Sequence, residues 1–358
     1  MSSTTNLGFS SASMTANQQW YPLTIIIVSW NVKELLGSCL RSLAEDHVPD
    51  WAEVVVVDNN STDQSIDMVA REFPWVRLIA NSQNVGFSRA NNTACWQSNS
   101  DFVFLLNPDT VVHPGAVRKL VDFARAHPEV GAVGPKLYST DGSVQYEGGV
   151  EFPGIWNVFC DLALLSELFP RSRIFCRRQM GYWDHEGDRE VPAISGAAML
   201  VRREVVDRIG FLNETLFYAE DMDFCLRLRR AGWLVFYLGS ASIVHYGGGS
   251  TKSVPDKGFQ RQIAFQSTWL YTRENRGRIL AAALSAMVVF WSLGGVLVTS
   301  LLGLFCRGNT PAAAKIAWFR KIAVSLLRWG ISNKKTFCHH LAAPPTFNAN
   351  RQLRFKLR

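Results

Sequence analysis

Unbroken apolar runs that stop at a carboxylate are the feature that most restricts how this chain can fold. Residues 54–57 are four valines ending in Asp58, and residues 102–106 end in Asn107-Pro108-Asp109. Runs without polar alternation belong to strands buried on both faces, which is the condition of a parallel sheet. Residues 23–28 form a third run, and residues 76–80, 130–133 and 197–201 repeat the signal. Between them apolar residues recur at helical spacing, as in Leu35, Leu36, Cys39, Leu40 and Leu43, or Val117, Leu120, Val121 and Ala124. A helix carrying Ile66, Val69, Ala70 and Phe73 is expected to be capped by Ser61 or Asp63, and the one carrying Val117 to open at Pro114. This alternation predicts an α/β domain with a mostly parallel, three-layer sheet. Ligands in such sheets bind beyond the carboxyl ends of the strands, where Asp58 and Asp109 fall.

Further along, a helix is predicted from Glu220 or Asp221 through Arg230 and ended by Gly232, followed by strands over 233–238 and 242–245. The pattern degrades between residues 138 and 192 into aromatic, glycine-containing and basic segments with no assignable element. No internal repeat is present. Residues 1–22 are polar and aperiodic, without the basic start and apolar middle of a secretory signal, and are expected to form a disordered tail.

The net charge of +7 is unevenly placed. Eleven Lys or Arg and no acidic residue lie in 306–358, leaving 26 basic and 30 acidic residues in 1–305, a net of −4. The body is mildly acidic and the tail basic. No aromatic-interleaved recognition motif accompanies the tail charge, so a nucleic-acid partner is not expected. A basic tail that follows the 27 uncharged residues of 279–305 suits an anionic membrane surface. The seven cysteines show no CxxC spacing and are odd in number, which points to reduced, cytosolic thiols.

Asp58 ends a strand and begins the Asn59-Asn60-Ser61-Thr62-Asp63 turn, where its carboxylate can accept bonds from a base or a ribose hydroxyl; capping of the next helix is the alternative, and the favoured one for Asp63. The turn after the first strand reads Val28-Ser29-Trp30-Asn31-Val32-Lys33, without the glycine-rich fingerprint of a dinucleotide-binding dehydrogenase. Asp109 is a candidate ligand for Mg²⁺ or Mn²⁺, because a hard cation needs only one or two carboxylates when a diphosphate supplies the rest. His245, just before Tyr246-Gly247-Gly248-Gly249, can add a nitrogen ligand, touch the diphosphate, or serve structurally. Glu220-Asp221-Met222-Asp223 sits at a helix N-terminus, where a carboxylate can take the proton of an attacking hydroxyl or merely cap the helix.

Taken together, Val28-Ser29-Trp30-Asn31, Val57 through Asp63, Asn84-Val85-Gly86-Phe87-Ser88-Arg89-Ala90-Asn91-Asn92, Leu105 through Asp109, Ser195-Gly196-Ala197-Ala198-Met199-Leu200, and Glu220 through Asp223 continuing into Leu228-Arg229-Arg230-Ala231-Gly232-Trp233 occur in fixed order. The chain thereby resembles the inverting family 2 glycosyltransferases of GT-A fold, in particular their rhamnosyltransferase-like branch, over roughly residues 23–278. The resemblance implies a Rossmann-like nucleotide-diphospho-sugar transferase domain over 23–255 and Asp221 as catalytic base. Asp109 and His245 become metal ligands. Ser29, Asn31, Asp58, Asn60, Gly86, Arg89, Asn107, Ser195, Gly196 and Glu220 become substrate or nucleotide contacts. The usual Asp-x-Asp is replaced by Asn107-Pro108-Asp109, one carboxylate fewer. Residues 138–192 then read as an acceptor-side insertion.

A connecting helix is expected over 256–278, a hydrophobic membrane segment over 279–305, and a basic amphipathic tail over 306–358, with 312–329 as an in-plane helix. A single span would export the tail's cations, so a re-entrant hairpin broken at Gly294-Gly295 is preferred. Leu326-Leu327-Arg328-Trp329 lacks the Gln of the Q-x-x-R-W motif of processive synthases, favouring single addition. The expected function is transfer of one sugar, rhamnose being the one the branch suggests, from a dTDP-, UDP- or GDP-linked donor. The acceptor is a lipid-linked glycan of surface polysaccharide, at the cytoplasmic face of the cell membrane. The alternative is a silent sugar-nucleotide sensor or membrane scaffold, against which the joint presence of Asp58, Asp109 and Asp221 counts.

Overall fold

In the computed structural model, which describes residues 21–247 and 257–305, the first half of the chain alternates strand and helix. The elements are β1 (Leu23–Ser29), α1 (Lys33–Glu45), β2 (Glu53–Asp58), α2 (Ser65–Glu72), β3 (Val76–Ala80), α3 (Phe87–Trp96), β4 (Phe102–Leu106), β5 (Thr110–Val112), α4 (Ala116–Ala126) and β6 (Val130–Tyr138). There follow β7 (Val144–Gln145), α5 (Ile155–Leu162), α6 (Leu165–Leu168), β8 (Arg189–Glu190), β9 (Ala198–Arg202), α7 (Arg203–Ile209), α8 (Glu220–Arg230), β10 (Leu234–His245), α9 (Lys257–Arg276) and α10 (Arg278–Phe305). All seven residues of β1 are buried, as a strand covered on both faces must be.

The strands form one sheet in the order β3-β2-β1-β4-β9-β6-β10-β5, with β7 beside β6 and β8 beside β10. The sheet is mixed rather than mostly parallel: β1, β2, β3 and β4 run one way, and β9 lies antiparallel between β4 and β6. An apolar run reports burial, not direction, so β9 could not be told from its parallel neighbours. The two late strands are a single β10, bent by a register shift between Leu238 and Ser242. A Cβ on Gly239 would come within 2.6 Å of the Gly187 carbonyl oxygen, so this bend needs glycine. α4 starts at Ala116, after left-handed Gly115, rather than at Pro114. Ser61 does not cap α2; its Oγ accepts the Asn31 N–H at 3.0 Å, while Asp63 Oδ1 accepts the Ser65 N–H at 3.1 Å.

Buried side chains form two layers, one on each face of the sheet. One joins Leu36, Leu40, Val69, Val117 and Leu120 to Ile25, Val56 and Phe104. The other joins Ala90, Ala94, Val205, Phe224 and Leu228 to Ile26, Val55 and Leu105. This is the three-layer arrangement, with α1, α2 and α4 on one side and α3, α7 and α8 on the other.

Two further features bear on function. Residues 138–192, unassigned from sequence, contain the short α5 and α6 and a turn in which a Cβ on Gly181 would collide with the Pro170 carbonyl oxygen. α10 runs unbroken through Gly294-Gly295, so the helical break expected there is absent; two glycines cost roughly 1 kcal/mol each in a helix, which the surrounding helix-forming leucines and alanines tolerate. Gly277, at φ +97°, separates α9 from α10. Residues 1–20 of the predicted N-terminal tail, the Gly248-Gly249 part of the glycine cluster and the basic tail with its in-plane helix lie outside the described residues.

Candidate active site

The site begins where parallel strands stop. β1, β2 and β4 point the same way, so Ser29, Asp58 and Asn107 arrive at one edge of the sheet. β10 runs parallel to β6 and brings His245 to the same edge, and antiparallel β9 starts there, directly after Ser195-Gly196. Topology alone thus gathers side chains from five strands.

Asp58 is 1% exposed. Its Oδ2 accepts the Ser61 N–H at 2.8 Å, while Oδ1 is buried without a hydrogen-bond partner. Ser29 stands in register with it on the adjacent strand, and its Oγ is likewise buried and unpaired. An unpaired buried polar atom costs about 1–3 kcal/mol. A carboxylate oxygen and a hydroxyl left open side by side suit a ligand that both donates and accepts, as a base or a ribose does. Asn31, left-handed at φ 53°, accepts the Thr62 N–H at 2.7 Å and so braces the two loops; exposed Asn60 is also left-handed. Asn59, overlooked in the sequence, donates to Gly86 O at 3.4 Å and accepts from Asn81 at 2.9 Å, tying the β2 edge to the start of α3. Gly86 has φ +87° and ψ 167°, a conformation closed to other residues, while open space lies where its Cβ would be. Arg89 donates through Nε to Glu214 at 2.8 Å, which fastens α3 to the loop before α8.

Asp109 and His245 meet nearby, both at most 8% exposed, with Nε2 3.4 Å from Oδ1. Gln145, another residue the sequence did not flag, fixes the imidazole. Its amide nitrogen donates to the His245 carbonyl at 2.7 Å, so its Oε1, 2.9 Å from Nδ1, must accept the Nδ1 proton. In the neutral ring the Nε2 lone pair then faces the Asp109 carboxylate, with Asn107 Nδ2 3.5 Å away. Two electron-rich ligands converging, with the second ring nitrogen held by an outer partner, fit a divalent cation. Among the described residues no cluster of three such ligands exists, so phosphate oxygens and water must complete the shell.

The third group sits at the N-terminus of α8. Asp221 is half-buried, and its Oδ2 accepts the Gly196 N–H at 3.0 Å and its Oδ1 the Met222 N–H at 2.7 Å. A Cβ on Gly196 would lie within 4 Å of both the Asp221 carboxylate and Phe87, the first residue of α3, so this glycine sits between the two. Burial pushes the Asp221 carboxyl above its ordinary range, against those two N–H groups and with help from the Glu147 charge. Burial, and then Asp221, pushes Glu220 up as well. Glu147 had no sequence signal; it arrives because Ser195 N–H bonds to its carbonyl at 3.1 Å. Tyr218, before this pair, is left-handed at φ 76°, strained for a bulky side chain. Asp223 belongs to the framework, accepting from Arg227 at 2.7 Å and from Asn275 on α9 at 2.9 Å.

The raised Glu220 makes a stability prediction. Its carboxyl holds a proton more tightly folded than unfolded, so the folded state is penalised as pH rises from the ordinary carboxylate range through the raised value. Glu220→Gln keeps an acceptor for the Ala219 N–H that Oε2 now binds at 3.0 Å. It is expected to raise Tm, by about 2–4 °C per kcal/mol of penalty removed. The gain should be larger near pH ~8.5 than near pH ~5 in thermal melts; an equal gain at both would remove the charge argument.

Comparison with known proteins identifies the family. Residues 21–278 match the family model described as glycosyltransferase like family 2. The chain is 32% identical over 214 residues to the N-acetylglucosaminyl-diphospho-decaprenol L-rhamnosyltransferase of Mycobacterium tuberculosis H37Rv, covering 56% of this chain and 69% of that protein. It is 22% identical over 263 residues to rhamnosyltransferase WbbL of Escherichia coli K12, covering 70% and 93%. The mannosyltransferase PcManGT from Pyrobaculum calidifontis, solved with GDP-Man and Mn²⁺, superposes with a TM-score of 0.52 at 18% identity over 87% of this chain and 86% of that one, a likeness of fold. The protein belongs to glycosyltransferase family 2, with a GT-A-like α/β fold. It is a glycosyltransferase of the rhamnosyltransferase-like kind.

Proposed function

We propose that the enzyme transfers one sugar, with inversion, from a dTDP-, UDP- or GDP-linked donor to a hydroxyl of a lipid-linked glycan. The site lies at the cytoplasmic face of the membrane. The observation that carries this reading is the placement of Asp221: a carboxylate held at two oxygens, raised in basicity by burial, and bonded to Gly196 just before β9, which starts at the sheet edge where β1, β2, β4 and β10 end. Ser29 and Asp58 would receive the nucleoside. Asn107, Asp109 and His245 would hold Mg²⁺ or Mn²⁺ against the diphosphate, and a bound divalent cation supplies charge stabilisation to the departing diphosphate. Asp221 takes the proton of the acceptor hydroxyl as that oxygen forms its bond to the anomeric carbon. Glu147 and Glu220 keep that carboxylate in an acidic environment. The lipid-linked acceptor is supported by the mycobacterial relative, whose name specifies a decaprenol-linked substrate, and by the apolar α10.

NMR of the product linkage tests the stereochemistry. A single displacement gives the anomeric configuration opposite to the donor's; retention in the product would rule out Asp221 acting as the base of a direct attack.

A further inference from the structure

The insert between β7 and β8 carries a surface for which the transfer chemistry has no use. Sixteen large apolar or aromatic side chains are exposed among the described residues. Six of them lie within residues 156–174 and six on α10 within 279–297, so the exposure is concentrated in two segments. These segments are neighbours, because α10 packs against α5. Trp156 and Phe159 on α5 thus expose apolar rings on the helix that packs against α10, and Leu164, Leu168, Phe169 and Ile174 extend the exposure through α6 and the turn after it. Leu168 is 67% exposed and Ile174 61%, which is unusual for a surface meant for water.

The patch is built rather than loose. Trp156 donates to the Ile174 carbonyl at 2.9 Å, Phe169 packs on Phe175, and the Gly181 turn closes on Pro170. Its border is richer in arginine than in acids: Arg177 pairs with Glu151 at 3.5 Å, and Asp184 lies beside the arginines. Arg171, Arg173 and Arg177 follow the apolar residues directly in sequence and are exposed, and Arg173 and Arg177, with Arg189, line a cavity of about 480 Å³. On α10, residues 278–295 have a mean hydropathy of 1.6 and are only 22% buried. Apolar residues edged by arginine, continuous with a helix long enough to cross a bilayer, match an anionic lipid surface.

We propose that the insert is itself a membrane-docking surface, its apolar face entering the acyl boundary of an anionic bilayer beside α10 with Arg171, Arg173 and Arg177 at headgroup level. The catalytic domain then lies on the membrane by its own surface and is not merely tethered to it. This does not depend on the assignment of the transfer residues.

Spin labels test it in the full chain. Cys306 and Cys338 are changed to serine; the other five cysteines are buried. Labels are placed singly by Leu168→Cys, Ile174→Cys, Phe290→Cys on α10 and Arg125→Cys on remote, exposed α4. Each protein is reconstituted in vesicles of phosphatidylcholine and phosphatidylglycerol and probed with oxygen and an aqueous nickel chelate. Labels at 168, 174 and 290 are expected to be relaxed by oxygen and shielded from nickel, with the reverse at 125. Nickel access at 168 and 174 equal to that at 125, with 290 still shielded, overturns the proposal. So does shielding from both reagents that persists in detergent, which would mean a second copy covers the face. Arg171→Gln should lower the docked-to-undocked ratio about fivefold, the equivalent of roughly 1 kcal/mol per cation at an anionic leaflet. No change there, or in vesicles of phosphatidylcholine alone, removes the headgroup contact from the proposal. Turnover is not read in any arm, so failure of the proposed transfer reaction would leave the outcome intact.

Discussion

Asp221→Asn is expected to lower kcat by about 10²–10⁴, the range contributed by a positioned general base, while the donor's Kd stays within about twofold. The exchange is close to isosteric and keeps one acceptor for the N–H groups of Gly196 and Met222, so the N-terminus of α8 should hold its place. The amide nitrogen cannot accept, so one of these two N–H bonds is lost, which offsets the relief of a carboxylate whose burial raises its pKa. Single-turnover kinetics separate the effects: a base is missed in the chemical step and not in donor binding. A loss of less than tenfold would move the role elsewhere, with Glu147 and Glu220 the nearest carboxyls. The parent's rate should fall as pH drops through the raised carboxyl range, above where an ordinary aspartate titrates, because only the ionised form accepts the hydroxyl proton.

The second large effect is expected at Asp109. With one carboxylate in place of the usual pair, Asp109→Asn leaves no anionic protein ligand beside His245. A fall in kcat/KM of about 10²–10³, roughly 3–4 kcal/mol, follows if that carboxylate holds the cation that stabilises the departing diphosphate. His245→Gln should cost less, about 10-fold, since carboxylate and phosphates remain. Binding of Mn²⁺ by electron paramagnetic resonance, with nucleoside diphosphate present, reads the same event without turnover. Unchanged Mn²⁺ affinity in Asp109→Asn would place the cation elsewhere.

Where the chain is periodic, its sequence disclosed the fold. Residues 76–80 and 102–106 are strands at the bounds read from apolar runs, and the acids after β2 and β4 stand at the sheet edge because a buried strand can present a carboxylate only at its end. The direction of β9 was hidden, since Ala198 to Val201 is buried on both faces whichever way it runs. The joining of two late strands through Gly239 depends on the close approach of Gly187, a contact fifty-two residues away in sequence. At the site, residues that end elements were legible and residues that brace them were not. Gln145 matters through a two-residue strand that carries no periodic signal, and Glu147 through a short turn after it. Arg89 was expected near nucleotide from motif position alone, yet its Nε partner, Glu214, lies far along the chain. The helices of the insert have eight and four residues, too short for an apolar stripe to declare itself.

The bond from Asn275 to Asp223 has a geometrical consequence. Asp223 stands two residues from Asp221 on α8, and Arg230 at the other end of α8 donates to the Asn275 carbonyl at 2.8 Å. Asn275 lies three residues before α10, across left-handed Gly277. The helix bearing the carboxylate and the helix bearing the apolar surface are thus pinned to one joint. The distance from the carboxylate to the start of α10 is therefore constrained by these bonds as well as by the joint at Gly277. Under the proposed lipid-linked acceptor, a glycan rooted in a bilayer beside α10 would have to bring its hydroxyl across that distance, so reach would become a criterion of selection, as with a ruler.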